Sequence, residues 1–202
     1  MALISTFALL TAFTAPMAMP ITPWQDDLEN PKFEKPKDGD KVAVLTTKFG
    51  EIVIKFRPDK APKHVENFIK LSEEKFYDKT IFHRVIEGFM IQGGDPNTKG
   101  TDVSIYGMGG PEKRLKAEFN NLNHKRGVVS MARSQDPDSA GSQFFIMVAD
   151  SPHLNHQYSA FGEVISGMDV ADKIVTQPKN RQGRPDDRIE MTIKIVKWPI
   201  KK

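Results

Sequence analysis

Residues 82–94 read Phe-His-Arg-Val-Ile-Glu-Gly-Phe-Met-Ile-Gln-Gly-Gly and set a guanidinium, Arg84, and an amide, Gln92, among large apolar side chains. A guanidinium stays charged at any relevant pH and presents a rigid fork of N–H groups, so the chemistry on offer is hydrogen-bond donation from a fixed cation. Two short runs of strand character, Ile81 to Val85 and Phe89 to Gln92, flank a Glu87-Gly88 turn. Alternate residues of a strand share a face, which puts Phe82 with Arg84 and Met90 with Gln92. One concave surface would then carry the cation, the amide and several apolar groups. On spacing alone, a plain hairpin with a solvated arginine and a core phenylalanine is the better description.

Other chemistries find less support. Cysteine is absent, which removes disulfides, thiolate nucleophiles and cysteine-based zinc sites. His153 and His156 have helix-type spacing, but no nearby acidic residue completes a ligand set, so no metal is expected. Ser142 lies in Ala-Gly-Ser-Gln-Phe rather than a Gly-x-Ser-x-Gly elbow, and no local pattern places a histidine to activate it. The Gly-rich stretch after Asp95 has neither a following Lys-Ser or Lys-Thr nor a GxGxxG before a helix, so a phosphate cradle is excluded. With a formal charge of +3 and basic residues scattered among acidic ones, the chain has no nucleic-acid footprint.

Two blocks change the weight given to Arg84. Phe82-His83-Arg84 followed by Gly88-Phe89-Met90-Ile91-Gln92-Gly93-Gly94-Asp95 resembles one signature of the cyclophilin family of peptidyl-prolyl isomerases. Ser130-Met131-Ala132-Arg133 followed by Gly141-Ser142-Gln143-Phe144-Phe145-Ile146 resembles the family's other signature, and the likeness runs from about Val42 to Val196 with a bacterial flavour. The resemblance implies an enzyme without cofactor that speeds rotation about X-Pro bonds in unfolded or exposed segments of proline-containing polypeptides and so assists folding.

That reaction needs no nucleophile. The barrier of roughly 18–20 kcal/mol comes from the partial double bond of the amide, and exchange takes tens of seconds. Twisting the bond localises the nitrogen lone pair, so a fixed donor near that nitrogen favours the transition state over both ground states. Arg84 is the residue the resemblance assigns to that role, with Gln92 accepting from it and donating to substrate backbone. Carried over position by position, Phe89, Met90, Phe145 and Leu154 become the walls of a proline socket, and Ala132, Arg133 and Gln143 the groove that meets peptide backbone. His83 is expected to be structural, because no proton is transferred.

Three positions depart from common family members. Arg133 stands where eukaryotic members usually carry Asn, which would favour acidic substrates. His153 occupies the place of a Trp associated with tight cyclosporin binding, so weak binding at most is expected. Tyr158 replaces a frequent His and can still pack on proline. A peptide-binding module of the same fold with little turnover is the competing reading, but binding alone would not require the guanidinium.

The elements that must position these residues read as strands joined by turns. Val42 to Thr47 and Glu51 to Phe56 form a first hairpin across Lys48-Phe49-Gly50. Pro62 opens a helix whose apolar stripe is Val65, Phe68, Ile69 and Leu71, with His64 taken as a surface residue. Asp95 to Leu115 is an irregular loop, expanded over Thr101 to Gly107 and so altering the outer rim of the groove. Strands are expected over Gly127 to Ala132, Gln143 to Val148, Ser159 to Val164 and Ile189 to Val196, with a short helix over Met168 to Val175. The fold implied is mainly β, a closed antiparallel eight-stranded barrel capped by two helices.

Residues 1–18 carry no charged side chain and resemble an export signal with small residues at Ala15 to Ala18, though no Lys or Arg follows Met1. An exported, periplasmic or extracellular protein is expected, with a retained anchor or an unstructured tail as alternatives. Residues 19–40 hold several prolines with charged side chains and read as an extended linker. Residues 41–202 form the one folded domain, expected to act as a monomer.

Overall fold

The computed structural model describes residues 27–200. The expected signal segment, 1–18, and residues 19–26 of the expected linker lie outside the described residues. Among the described residues nine strands form one antiparallel sheet: β1 Lys41–Thr47, β2 Gly50–Phe56, β3 Thr80–Ile81, β4 Arg84–Ile86, β5 Met90–Gly93, β6 Val128–Met131, β7 Phe144–Met147, β8 Ala160–Ser166 and β9 Glu190–Lys197. Their spatial order is β3-β9-β1-β2-β8-β6-β7-β5-β4. The sheet curls strongly, and among the described residues its outermost strands, β3 and β4, do not pair with each other.

This replaces the expected closed eight-stranded barrel, and the reason lies at Phe82. The run Ile81 to Val85 is not one strand: it crosses the seam between the two ends of the sheet. Phe82 N donates to Ile189 O beside β9 at 3.1 Å, and His83 N donates to Gln92 O of β5 at 3.1 Å. A strict alternation therefore fails across these residues. Phe82 is fully buried in the main core near Phe144, whereas Arg84 faces the other side, contrary to the shared face read from spacing.

The interior is filled by the inward-facing residues of the sheet together with helix α1, Pro62–Glu73, and helix α2, Met168–Val175. Phe68 from α1 meets Phe144, Tyr77 and Phe161 at ring-centroid distances of 5.3, 5.1 and 5.1 Å. Burying such rings supplies about 1.5–3 kcal/mol each by transfer out of water. The α2 stripe of Val170, Ala171, Ile174 and Val175 is buried as its period requires.

The start of α1 depends on a distant residue. Its N-cap side chain makes no capping bond; instead the Glu118 carboxylate accepts from the backbone N–H of Lys63 at 3.1 Å and of His64 at 3.0 Å. His64 Nδ1 lies 2.6 Å from the same carboxylate, and the residue is fully buried, not on the surface. Burial pushes the Glu118 carboxyl up, but the bonds from His64 and these backbone donors outweigh it and leave the carboxyl below its ordinary range.

Residues 27–40 contain no regular helix or strand longer than an isolated bridge. They are nonetheless tied to the fold, since Glu29 pairs in parallel with Leu122 of the loop before β6 and Phe33 N donates to the Glu163 carboxylate of β8.

Candidate active site

Register across four strands assembles the site. Arg84 of β4 lies opposite Gln92 of β5, Gln92 opposite Phe145 of β7, and Phe145 opposite Ser130 of β6. Residues paired laterally share a face, so these four side chains form one transverse row on the outer face of the sheet. The adjacent row, Val85-Ile91-Ile146-Val129, points inward and is wholly buried.

Over the outer row lies a cavity of about 350 Å3, lined by Arg84, Phe89, Met90, Gln92, Ala132, Arg133, Phe145, His153, Leu154 and Tyr158. Every site residue read from the sequence except Gln143 lines it. Gln143 stands in an adjoining cavity of about 350 Å3 that shares Gln92, Ala132 and Arg133 and is rimmed by Gly107 to Gly109. The long loop after Asp95 thus supplies one wall of the groove.

The polar groups form a directed chain. Arg84 Nη1 donates to Gln92 Oε1 at 3.4 Å, and Gln92 Nε2 donates to Gln143 Oε1 at 3.1 Å. Gln143 Nε2 donates to the carbonyls of Gly107 and Gly109, both at 2.9 Å. Because a guanidinium can only donate, each amide is turned oxygen-first toward Arg84. Among the described residues no carboxylate pairs with Arg84, so its charge is left to the cavity. A cation without a neutralising partner, held over apolar walls, polarises whatever polar group enters.

The apolar end is built from rings. Tyr158 meets Phe145 edge-on at 5.5 Å and 85°, and His153 lies against Phe89 at 5.7 Å and 30°. Arg133 holds its guanidinium over the Tyr158 ring at 4.8 Å while donating to the carbonyls of Gln157, Ser134 and Gln135. Arg133 therefore stiffens the Tyr158 wall, a task separate from any pull on an acidic substrate.

Several residues beneath the site had no signal in spacing. Asp95 is fully buried, caps the turn Pro96–Lys99 and accepts from the backbone of Gly107, tying the loop to the floor. His83 is buried with Nδ1 unpartnered among the described residues; burial lowers its pKa and nearby Asp95 partly opposes that, which suits a neutral ring outside the proton economy. His124 stacks on Phe145 at 6.3 Å and 25°. Ser142, set aside as a nucleophile, donates its hydroxyl to Gly94 O at 2.8 Å and is buried. Gly94 itself, at φ +84°, could carry no Cβ, which would come within 2.7 Å of Ser142 O.

The curled antiparallel sheet thus carries, over an aromatic hollow, an arginine that has no carboxylate partner among the described residues. Residues 42–198 match the model of the family described as cyclophilin type peptidyl-prolyl cis-trans isomerase/CLD, and the chain belongs to that family. It is 46% identical over 164 residues to a protein of Brucella abortus (strain 2308) named "Probable peptidyl-prolyl cis-trans isomerase", covering 77% of this chain and 84% of that one. To peptidyl-prolyl cis-trans isomerase B of Escherichia coli (strain K12) it is 45% identical over 157 residues, covering 72% of this chain and 91% of that one. Its fold is similar to the crystal structure of a Cryptosporidium parvum cyclophilin type isomerase in the presence of the dipeptide Ala-Pro, with a TM-score of 0.70 and 33% identity over 77% of this chain and 98% of that one. The protein is a cyclophilin-type peptidyl-prolyl cis-trans isomerase.

Proposed function

We propose that Arg84 is the group that lowers the rotation barrier. The proline ring enters the hollow bounded by Phe89, Met90, Phe145, Leu154 and Tyr158, with its nitrogen toward the guanidinium. As the amide twists, Arg84 donates to the nitrogen lone pair, and no covalent intermediate forms. Gln92 holds Arg84 and offers its second N–H to the substrate backbone, beside Ala132, Arg133 and Gln143. The observation that carries this reading is the uncompensated guanidinium facing the cavity and anchored by Gln92. An exchange measurement on an Ala-Pro peptide tests it: Arg84→Ala should bind the peptide and remain folded while interconversion slows at least tenfold. Near-normal exchange in a folded variant would remove Arg84 from the role.

The same reading extends to surroundings. His153, seated on Phe89, supports weak cyclosporin binding at most, to be checked by inhibition of exchange. We propose export to the periplasm or outside the cell, supported by the uncharged stretch at residues 1–18, with N-terminal sequencing of secreted material as its test. Action as a monomer on proline-containing segments is consistent with a complete set of site residues in one chain.

A further inference from the structure

The family match begins at Val42, yet part of the chain before it is tied into the folded domain. Glu29 joins the loop before β6 through two backbone bonds of 2.8 Å, its N–H donating to Asn121 O and its carbonyl accepting from Asn123 N. Its carboxylate oxygens sit 2.7 Å from Arg57 and 2.6 Å from Lys60. Phe33 N donates at 3.0 Å to the carboxylate of Glu163, a fully buried residue also held by Arg57 at 2.6 Å. The Phe33 ring fills the notch over Gly127, where a Cβ would come within 2.8 Å. A buried carboxylate is costly unless paired, so these ties make residues 27–33 part of the folded domain and not a spacer.

From this anchored segment a chain of amides runs to the pocket. Asn123 Nδ2 donates to Asn30 Oδ1 at 3.0 Å, and Asn155 Nδ2 donates to Asn123 Oδ1 at 3.0 Å. Asn155 Oδ1 accepts from His124 N at 2.8 Å and from His124 Nδ1 at 3.1 Å. His124 Nε2 then accepts from the Ser130 hydroxyl at 2.8 Å, which fixes the proton on Nδ1 and the plane of the ring. That ring stacks on Phe145 and meets Tyr158 edge-on at 6.4 Å. A second tie joins Asp27 to His156 at 3.3 Å, two residues before Tyr158.

We propose that residues 27–33 act as a positioning strap for the proline pocket, with Asn30 working through Asn123 and Asn155 to fix His124 beneath Phe145 and the loop carrying Leu154 and Tyr158. The proposal rests on the reading that this cavity holds the proline ring. The strap touches no substrate; it sets how well the apolar socket is formed before the peptide arrives. Its loss should therefore weaken substrate binding and leave the step that Arg84 assists largely alone.

The test uses the full chain with Asn30→Ala and Asn123→Ala, each assayed for KM and kcat on an Ala-Pro peptide, with Arg84→Ala in parallel. Asn30 is exposed, which makes its variant the one safest for folding. The expected result is a three- to tenfold rise in KM with kcat within twofold, and a moved His124 Nδ1–H imidazole signal by NMR. Asn123→Asp, which keeps the acceptor for Asn155 but not the donor to Asn30, should show the same rise in KM with a smaller shift at His124. Unchanged KM in folded Asn30→Ala and Asn123→Ala would overturn the strap, as would a fall in kcat and melting temperature with KM unmoved. Full activity of Arg84→Ala would instead sink the mechanism and leave the KM result standing, so the two ideas fail separately.

Discussion

The strands β4, β5, β7 and β6 carry two kinds of row, one on each face. The inward row, Val85-Ile91-Ile146-Val129, is aliphatic throughout and excluded from water. The outward row, Arg84-Gln92-Phe145-Ser130, places a cation, an amide, an aromatic ring and a hydroxyl at the same spacing. Both rows hang on the same backbone hydrogen bonds. One face buries its side chains, while the other carries two separate sets of directed bonds, Arg84 through Gln92 and Gln143 to the loop at Gly107 and Gly109, and Ser130 to His124. The packed interior and the row proposed for catalysis are thereby separated by a single residue of register.

Substitutions on the two faces should fall into different assays, and the largest effect belongs to the inward row. Ile91→Ala leaves a cavity in a packed interior and should cost about 2–5 kcal/mol in denaturant unfolding, with activity per folded molecule retained. If it instead altered turnover without loss of stability, the division between faces would be wrong. Arg84→Ala should do the reverse, losing on the order of 3 kcal/mol of transition-state stabilisation, about a hundredfold in exchange rate, with a melting temperature close to that of the parent.

The third expectation concerns pH at the Ser130 end of the outward row, where His124 packs on Phe145. Burial, with smaller contributions from His153 and His156 against the bond to Asn155, pushes the His124 pKa from 6.5 down to about 4. The folded protein therefore prefers the neutral ring. Its contribution is intact above pH 6.5 and is lost as pH falls through that value toward 4, because the unfolded chain takes up the proton first; the loss amounts to roughly 3 kcal/mol. His124→Gln should flatten the stability profile across that window, and an unchanged profile would remove His124 as its source. The smallest effect is that of Gln92→Ala, which removes the acceptor steadying Arg84 and should cost about 1 kcal/mol in kcat/KM, roughly fivefold. An effect as large as that of Arg84→Ala would make Gln92 a direct participant.

Much of this was legible in the chain. The helix at Met168–Val175 and the strands on either side of Lys48-Phe49 follow from period and turn chemistry, because each needs only neighbours in sequence. The long signatures around Arg84 and Gln143 identified the family and nominated the residues that line the cavity. Where reading failed, the cause was a partner far along the chain. His64 is buried because Glu118 arrives from 54 residues away. Phe82 and Arg84 part company because the chain crosses the seam of the sheet between them. The stretch before Lys41 has a linker's composition, yet Glu163 and Arg57 give its polar groups somewhere to go.

Local pattern thus set which segments are extended or helical and which side chains could do chemistry, since periodicity and turn preference act over a few residues. Only tertiary structure decided that Arg84, Gln92, Phe145 and Ser130 stand in one row, that His124 lies beneath them, and that residues 27–33 belong to the domain. Lateral register and long-range pairing of buried charge are set by the cost of leaving donors and carboxylates unsatisfied, and that cost exists only once the chain has closed on itself.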